Sequence, residues 1–136
     1  MSDVFADTSG WANFFLRDEP HHNLANRIVS QSRRERARVI TTNYVLAELN
    51  ALLTNPIRMP RPRKSRYSMH SASSWIEIVH IYPELDLKAW DLLMERPDKS
   101  WTLVDCSSFV LMKALNIRQA LTSDHHCEQA GLLRLL

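Results

Sequence analysis

Short apolar runs rich in β-branched residues alternate with longer stretches of helical periodicity along this chain, and that alternation leaves few folds open. "DVFAD" (Asp3–Asp7), "ARVITT" (Ala37–Thr42), "IEIVHI" (Ile76–Ile81) and "QALTS" (Gln119–Ser123) read as strands. The spacing between them predicts helices over Ser9–Phe15 and Asn23–Ser32, parted at Pro20, and over Tyr44–Leu53, ended by Pro56. Further helices are expected over Ser68–Trp75, over Leu85–Glu95 before a turn at Pro97, and over Asp105–Leu115. The end piece "LLRLL" (Leu132–Leu136) follows a short strand and receives no element. Strands separated by helices pair in parallel, because the helix is the crossover, and a parallel sheet is stable only with both faces covered. An α/β fold around a mostly parallel sheet is therefore expected.

With 136 residues, 45% of them hydrophobic and 24% charged, the chain can bury a real core as one domain spanning residues 1–136. Nothing approaches the roughly 18 uninterrupted apolar residues of a membrane helix, and the start lacks a basic segment followed by an apolar one. A cytoplasmic protein with no membrane partner is expected. Cys106 and Cys127 then read as free, partly buried thiols. The net charge of +2 is unevenly spread, with basic runs at "RRERAR" (Arg33–Arg38) and "RMPRPRKSR" (Arg58–Arg66). Such runs are usually solvated helix ends or loops, and they point to phosphate only if a phosphate-cutting site exists elsewhere.

Ligands of open α/β sheets sit outside the carboxyl ends of the strands, so acids placed there carry the functional signal. Asp7 ends the first strand, and Asp124 follows "QALTS". Asp105 starts a helix after the apolar lead-in "WTLV". Glu48 lies about one turn inside the helix after "VITTN", where it can lean back over the second strand. Each has a plain structural use, as helix cap or surface acid. Their setting argues for more, because Glu48 stands among Val45, Leu46, Leu49 and Leu52, and Asp105 among Leu103, Val104 and Phe109. Carboxylates in core-forming sequence need partners. Two of them about 4 Å apart repel by roughly 4 kcal/mol at an effective dielectric near 20, unless protons or a cation intervene. No Lys or Arg adjoins any of the four in sequence. An all-oxygen set suits Mg²⁺ or Mn²⁺ rather than Zn²⁺, and the usual work of such a site is phosphate-ester hydrolysis.

"ADTSGW", "TTNYVLAE", "DKSWTLVDCSSF" and "ALTSDHHCEQAGL", in that order, resemble the PIN-domain nucleases, and most closely the single-domain ribonuclease toxins of VapBC toxin–antitoxin systems. The resemblance spans nearly the whole chain. It implies a three-layer α/β/α sandwich and Mg²⁺- or Mn²⁺-dependent endoribonuclease activity. The family's acids fall on Asp7, Glu48, Asp105 and Asp124, implied to be both catalytic and metal-binding. Asp7 and Asp105 would hold the principal metal, Asp124 would complete its shell or hold a second ion, and Glu48 would position or deprotonate the attacking water. Thr8 or Ser9, and Thr41 or Thr42, are implied to orient carboxylates or water. A toxin of this kind implies an RNA substrate, a cognate antitoxin and a homodimer.

Other readings fit less well. "DTSG" also resembles the start of haloacid dehalogenase-type phosphatases, but those need a second acid two residues on, where Ser9 stands. "HHC" (His125–Cys127) lacks a matching Cys or His pair at zinc spacing. With Gly10 and Gly131 the only glycines, no phosphate-cradling loop is possible. The four tryptophans lie among apolar neighbours, as core or interface residues do. An RNA-processing PIN nuclease outside a toxin–antitoxin system, or a PIN-like module that binds RNA or protein without cutting, remains the alternative. Crowding four carboxylates against a polyanion gives a mere binder no advantage.

Overall fold

The first strand, β1 (Val4–Ala6), is fully buried, as its uninterrupted apolar run requires. A computed structural model of the chain describes residues 1–54 and 74–136. After β1 come helices α1 (Thr8–Phe15) and α2 (His22–Arg34), strand β2 (Val39–Thr42) and helix α3 (Asn43–Thr54). Beyond the undescribed residues lie β3 (Ile76–Val79), α4 (Pro83–Glu95), α5 (Leu103–Ala114), β4 (Gln119–Leu121), α6 (His126–Gln129) and β5 (Leu133–Arg134). The five described strands form one sheet in the order β3-β2-β1-β4-β5, and every pairing is parallel. The expected α/β/α sandwich is what the chain adopts.

Successive side chains of a strand face opposite sides of the sheet, so the register assigns the two layers. Phe5 stands beside Ala120 across the β1–β4 pairing, and both border a small cavity with Phe109 and Met112 of α5. The opposite face carries Ala6 and Leu121 beside α1, whose Trp11 donates its indole N–H to Thr41 of β2. At Gly10 the helix lies so close to β4 that a Cβ would fall 1.9 Å from the Leu121 carbonyl oxygen. Only glycine lets α1 start tightly against the end of β4.

Three helix-to-strand turns share one construction. Ala37 N–H donates to Ser32, Ile117 N–H to Met112 and Leu132 N–H to Cys127, each a bond reaching five residues back. Arg36, Asn116 and Gly131 occupy the left-handed region in these turns, with φ of 57°, 56° and 81°. This is the Schellman ending, which satisfies the last helical carbonyls and turns the chain back toward the sheet. The turns deliver β2, β4 and β5.

Two expectations need correction. The end piece "LLRLL" contains a strand, β5, because the turn at Gly131 lays Leu133 beside Gln119 and Arg134 beside Ala120. The lead-in "WTLV" lies only half outside the helix: α5 starts at Leu103, capped by Thr102, and so takes in Leu103 and Val104. The helix expected over Ser68–Trp75 and the basic run Arg58–Arg66 lie almost wholly outside the described residues. Both cysteines are free and buried. No described helix is long and apolar enough to cross a membrane.

Candidate active site

The sheet order reverses between β1 and β4: β2 and β3 extend the sheet to one side of β1, and β4 and β5 to the other. The two loops leaving the carboxyl ends of such neighbours diverge and open a crevice. Asp7 leaves β1 on one lip, and the segment Thr122–Ser123–Asp124 leaves β4 on the other. Helices α3 and α5 bring the remaining two acids, and one cleft of about 190 Å³ is lined by Asp7, Glu48, Asp105 and Asp124. All four acids singled out in the sequence therefore meet. No Lys or Arg is among the described residues that line this cleft.

Asp7 caps α1, accepting from Gly10 N–H at 2.9 Å and from the Ser9 hydroxyl at 2.9 Å on Oδ1, and from the Thr122 hydroxyl on Oδ2. Cap and site acid are one residue, so the two readings of Asp7 do not compete. The hydroxyls are themselves fixed: Ser9 Oγ accepts from Ser123 N–H and Thr122 Oγ1 from Asp124 N–H, both at 3.0 Å. All these partners of Asp7 are neutral. Burial pushes its carboxyl up to about 6, against the pull of Thr122, Gly10 and Ser9 and with added repulsion from Asp124.

Asp105 sits in the first turn of α5 and forms a capping box with Thr102. Its backbone N–H donates to Thr102 Oγ1 at 3.1 Å, and its Oδ2 accepts from Thr102 N–H at 3.0 Å. Asp124 Oδ1 accepts from His126 N–H at 3.0 Å, a local turn that aims the carboxylate back at the cleft. The imidazole of His126 lies between these two acids, with Nδ1 3.2 Å from Asp105 Oδ2 and 3.3 Å from Asp124 Oδ2. No sequence signal marked His126, because Asp105 lies 21 residues away.

Glu48 differs from its expected setting. Its neighbours Val45 and Leu49 are buried, but its own side chain is exposed at the mouth of the cleft, where it accepts from the Thr8 hydroxyl. The apolar stripe of α3 faces the core and Glu48 lies beside that stripe, not within it. Thr8 and Ser9 do orient carboxylates. Thr41 and Thr42 do not, since Thr41 Oγ1 donates to the Ala6 carbonyl and Thr42 Oγ1 accepts from Val45 N–H. Thr122 takes that place, supplied by the segment after β4 rather than by β2.

The basic run Arg33–Arg38 lies at the other edge of the sheet, where Arg38 leads into the start of β2 and pairs with Asp3 and Glu77. Arg33 stacks on Trp75, with its guanidinium carbon 5.9 Å from the ring centre. This run does not border the cleft.

In a parallel α/β/α domain whose switch-point crevice gathers acids from four elements, the site and not the sheet defines the chemistry. The PIN domain family model matches residues 4–132, and the chain belongs to that family. It is similar to the 23S rRNA-specific endonuclease VapC20 of Mycobacterium tuberculosis strains CDC 1551 / Oshkosh and H37Rv, with 26% identity over 132 residues, covering 97% of this chain and 97% of each relative. Its fold matches the crystal structure of Mycobacterium tuberculosis VapC20, described as a sarcin-ricin loop cleaving toxin, with a TM-score of 0.84 and 24% identity over 96% of this chain and 97% of the other.

Proposed function

We propose that this protein is a metal-dependent endoribonuclease that hydrolyses RNA phosphodiester bonds at the four-acid cleft, and that it is the toxin of a toxin–antitoxin pair. The observation that carries the reading is the convergence of Asp7, Glu48, Asp105 and Asp124 on one cleft whose described lining holds no Lys or Arg. That its VapC20 relatives are 23S rRNA-specific endonucleases supports RNA as substrate, and ribosomal RNA is the first to test. The donor chemistry fits a hard divalent cation: oxygen ligands oriented by neutral hydroxyls and amides, with one of them held half-protonated near pH 6 by burial.

Asp7, Asp105 and Asp124 are the residues that would hold Mg²⁺ or Mn²⁺, with Glu48 beside them. When bound, such an ion activates a water and neutralises charge on the phosphoryl oxygens. Ser9 and Thr122 hold the Asp7 carboxylate from either side and so fix its orientation. Glu48, exposed and held by Thr8, is placed to take the proton of the attacking water. Water attack leaves the RNA 2′-hydroxyl unused. The products should carry a 5′-phosphate and a 3′-hydroxyl, which end-labelling of cleaved RNA reads directly, and a 2′,3′-cyclic phosphate would refute the mechanism.

A cytoplasmic setting accords with the two free cysteines. The homodimer is supported by Leu87, Trp90 and Met94 of α4, which are 63%, 47% and 75% exposed at helical spacing. Trp90→Glu should convert the dimer to a monomer in light scattering. The antitoxin is the partner expected to cover the acidic cleft, and co-purification from the native operon tests for it.

A further inference from the structure

His126 belongs to neither the expected acid set nor any zinc pattern, yet it touches two of the four acids. Nδ1 lies 3.2 Å from Asp105 Oδ2 and 3.3 Å from Asp124 Oδ2, and the side chain is only 17% exposed. Carboxylate oxygens accept, so the nitrogen between them must carry the hydrogen. The other ring nitrogen, Nε2, lies 3.2 Å from the Ser100 hydroxyl, which can donate to it and fix that tautomer. With both nitrogens engaged, the ring has no lone pair aimed into the cleft. The neighbouring His125 does not share this position: it is 65% exposed, and its Nδ1 stays 3.6 Å from Asp124 Oδ1.

We propose that His126 is a positioning residue, whose ring stands between Asp105 and Asp124, donating from Nδ1 to the first and packing at 3.3 Å against the second, and so holds these carboxylates, one from α5 and one from the loop after β4, at the separation a shared cation requires. The two acids come from elements joined by no backbone pairing, so a side-chain bridge is what sets their spacing. Asp124 meets one residue at both oxygens, accepting from the His126 backbone N–H on Oδ1 and standing 3.3 Å from the ring Nδ1 at Oδ2. Asp105 is gripped on Oδ2 by the ring and by Thr102 N–H, and among the described residues no donor reaches its Oδ1. Asp105 itself lines the cleft. The inference rests on the cation-binding reading above.

The test is calorimetric titration of Mn²⁺ into the full chain at fixed pH, for wild type, His126→Asn, His126→Gln and His126→Leu, with thermal melts to verify folding. Asn presents its amide nitrogen where Nδ1 stands, whereas Gln reaches to the Nε2 position and Leu has no donor. The expected result is wild-type Mn²⁺ affinity within about threefold in His126→Asn, and a loss of about 10- to 100-fold in His126→Gln and His126→Leu, the range typical of partners that orient metal ligands. Should His126→Leu fail to fold, the contrast of Asn with Gln decides alone. Unchanged affinity in His126→Gln, or equal loss in His126→Asn, overturns the positioning role. A directly coordinated nitrogen in the electron spin echo spectrum of bound Mn²⁺ overturns it too, by making His126 a ligand. Wild type that binds no Mn²⁺ fails the cation reading itself, and the bridge with it.

Discussion

The two edges of the sheet handle negative charge in opposite ways. At the amino edge, Arg38 donates to both Asp3 and Glu77 at 2.6–3.1 Å. Burial pushes the Asp3 carboxyl up, but the hydrogen bonds and charge of Arg38 outweigh it and hold the group below its ordinary value. At the carboxyl edge, Asp7 has three donors and none is charged, so burial wins and its carboxyl rises to about 6. Equal numbers of hydrogen bonds thus produce opposite outcomes. What differs is the depth of burial, far greater at Asp7, and the presence of a fixed cation, and the edge without one is the edge that gathers the four acids. Structural ion pairs close their own electrostatics, whereas a site for a ligand leaves a deficit that the ligand fills.

The comparison is broken most severely at Asp105. Asp105→Asn keeps an oxygen for Thr102 N–H but removes a charge from the cleft, and RNA cleavage should fall by more than about 100-fold with the melting curve little changed. Full activity in a quantitative cleavage assay would remove Asp105 from the site.

Gly10→Ala attacks the same edge through packing. A Cβ 1.9 Å from the Leu121 carbonyl oxygen forces α1 off the end of β4, and urea unfolding should show a loss of about 3 kcal/mol. Activity should fall with it, because Ser9 and Asp7 ride on the same turn.

The pH dependence of stability sharpens the contrast. An acid whose folded value lies above its unfolded value of 3.8 keeps its proton longer when folded, so the folded state binds more protons between about pH 4 and 6. Stability contributed by Asp7 is full below pH 3.8 and is lost as pH rises through 6, a fall of up to about 3 kcal/mol. Asp7→Asn should flatten that part of the profile measured by denaturant unfolding, since Asn still caps α1. Added Mg²⁺ or Mn²⁺ should raise the wild-type melting temperature more at pH 7.5 than at pH 5.

The smallest effect is expected at the other edge. Arg38 is half exposed, and exposed ion pairs contribute little, so Arg38→Ala should cost about 1 kcal/mol or less and leave cleavage unchanged. A loss of activity there would mean that the amino edge also meets RNA.

Much of this architecture is legible in the residues. β1 is an apolar run stopped by an acid, two hydroxyls and a glycine, and each of those four has a separate task in the turn. The acids of the cleft could be placed because each stands at a fixed offset from a strand end or a helix start. Bridges between elements could not. His126 and Thr122 act on residues far away in sequence, and neither residue type is unusual where it stands. Strand β5 was hidden because its two residues show no alternation, and only the turn at Gly131 brings them to β4. Glu48 was misplaced because apolar neighbours along a helix do not reveal which side a residue faces when it lies next to the buried stripe.

The most direct measurement is cleavage of ribosomal RNA by the purified chain with Mg²⁺, Mn²⁺ or EDTA, run beside Asp7→Asn. Cutting that needs the cation, stops with EDTA and is lost in Asp7→Asn, while the variant melts like wild type, is the predicted result. Cutting that persists in EDTA or in Asp7→Asn would contradict a cation held at the carboxyl edge of the sheet.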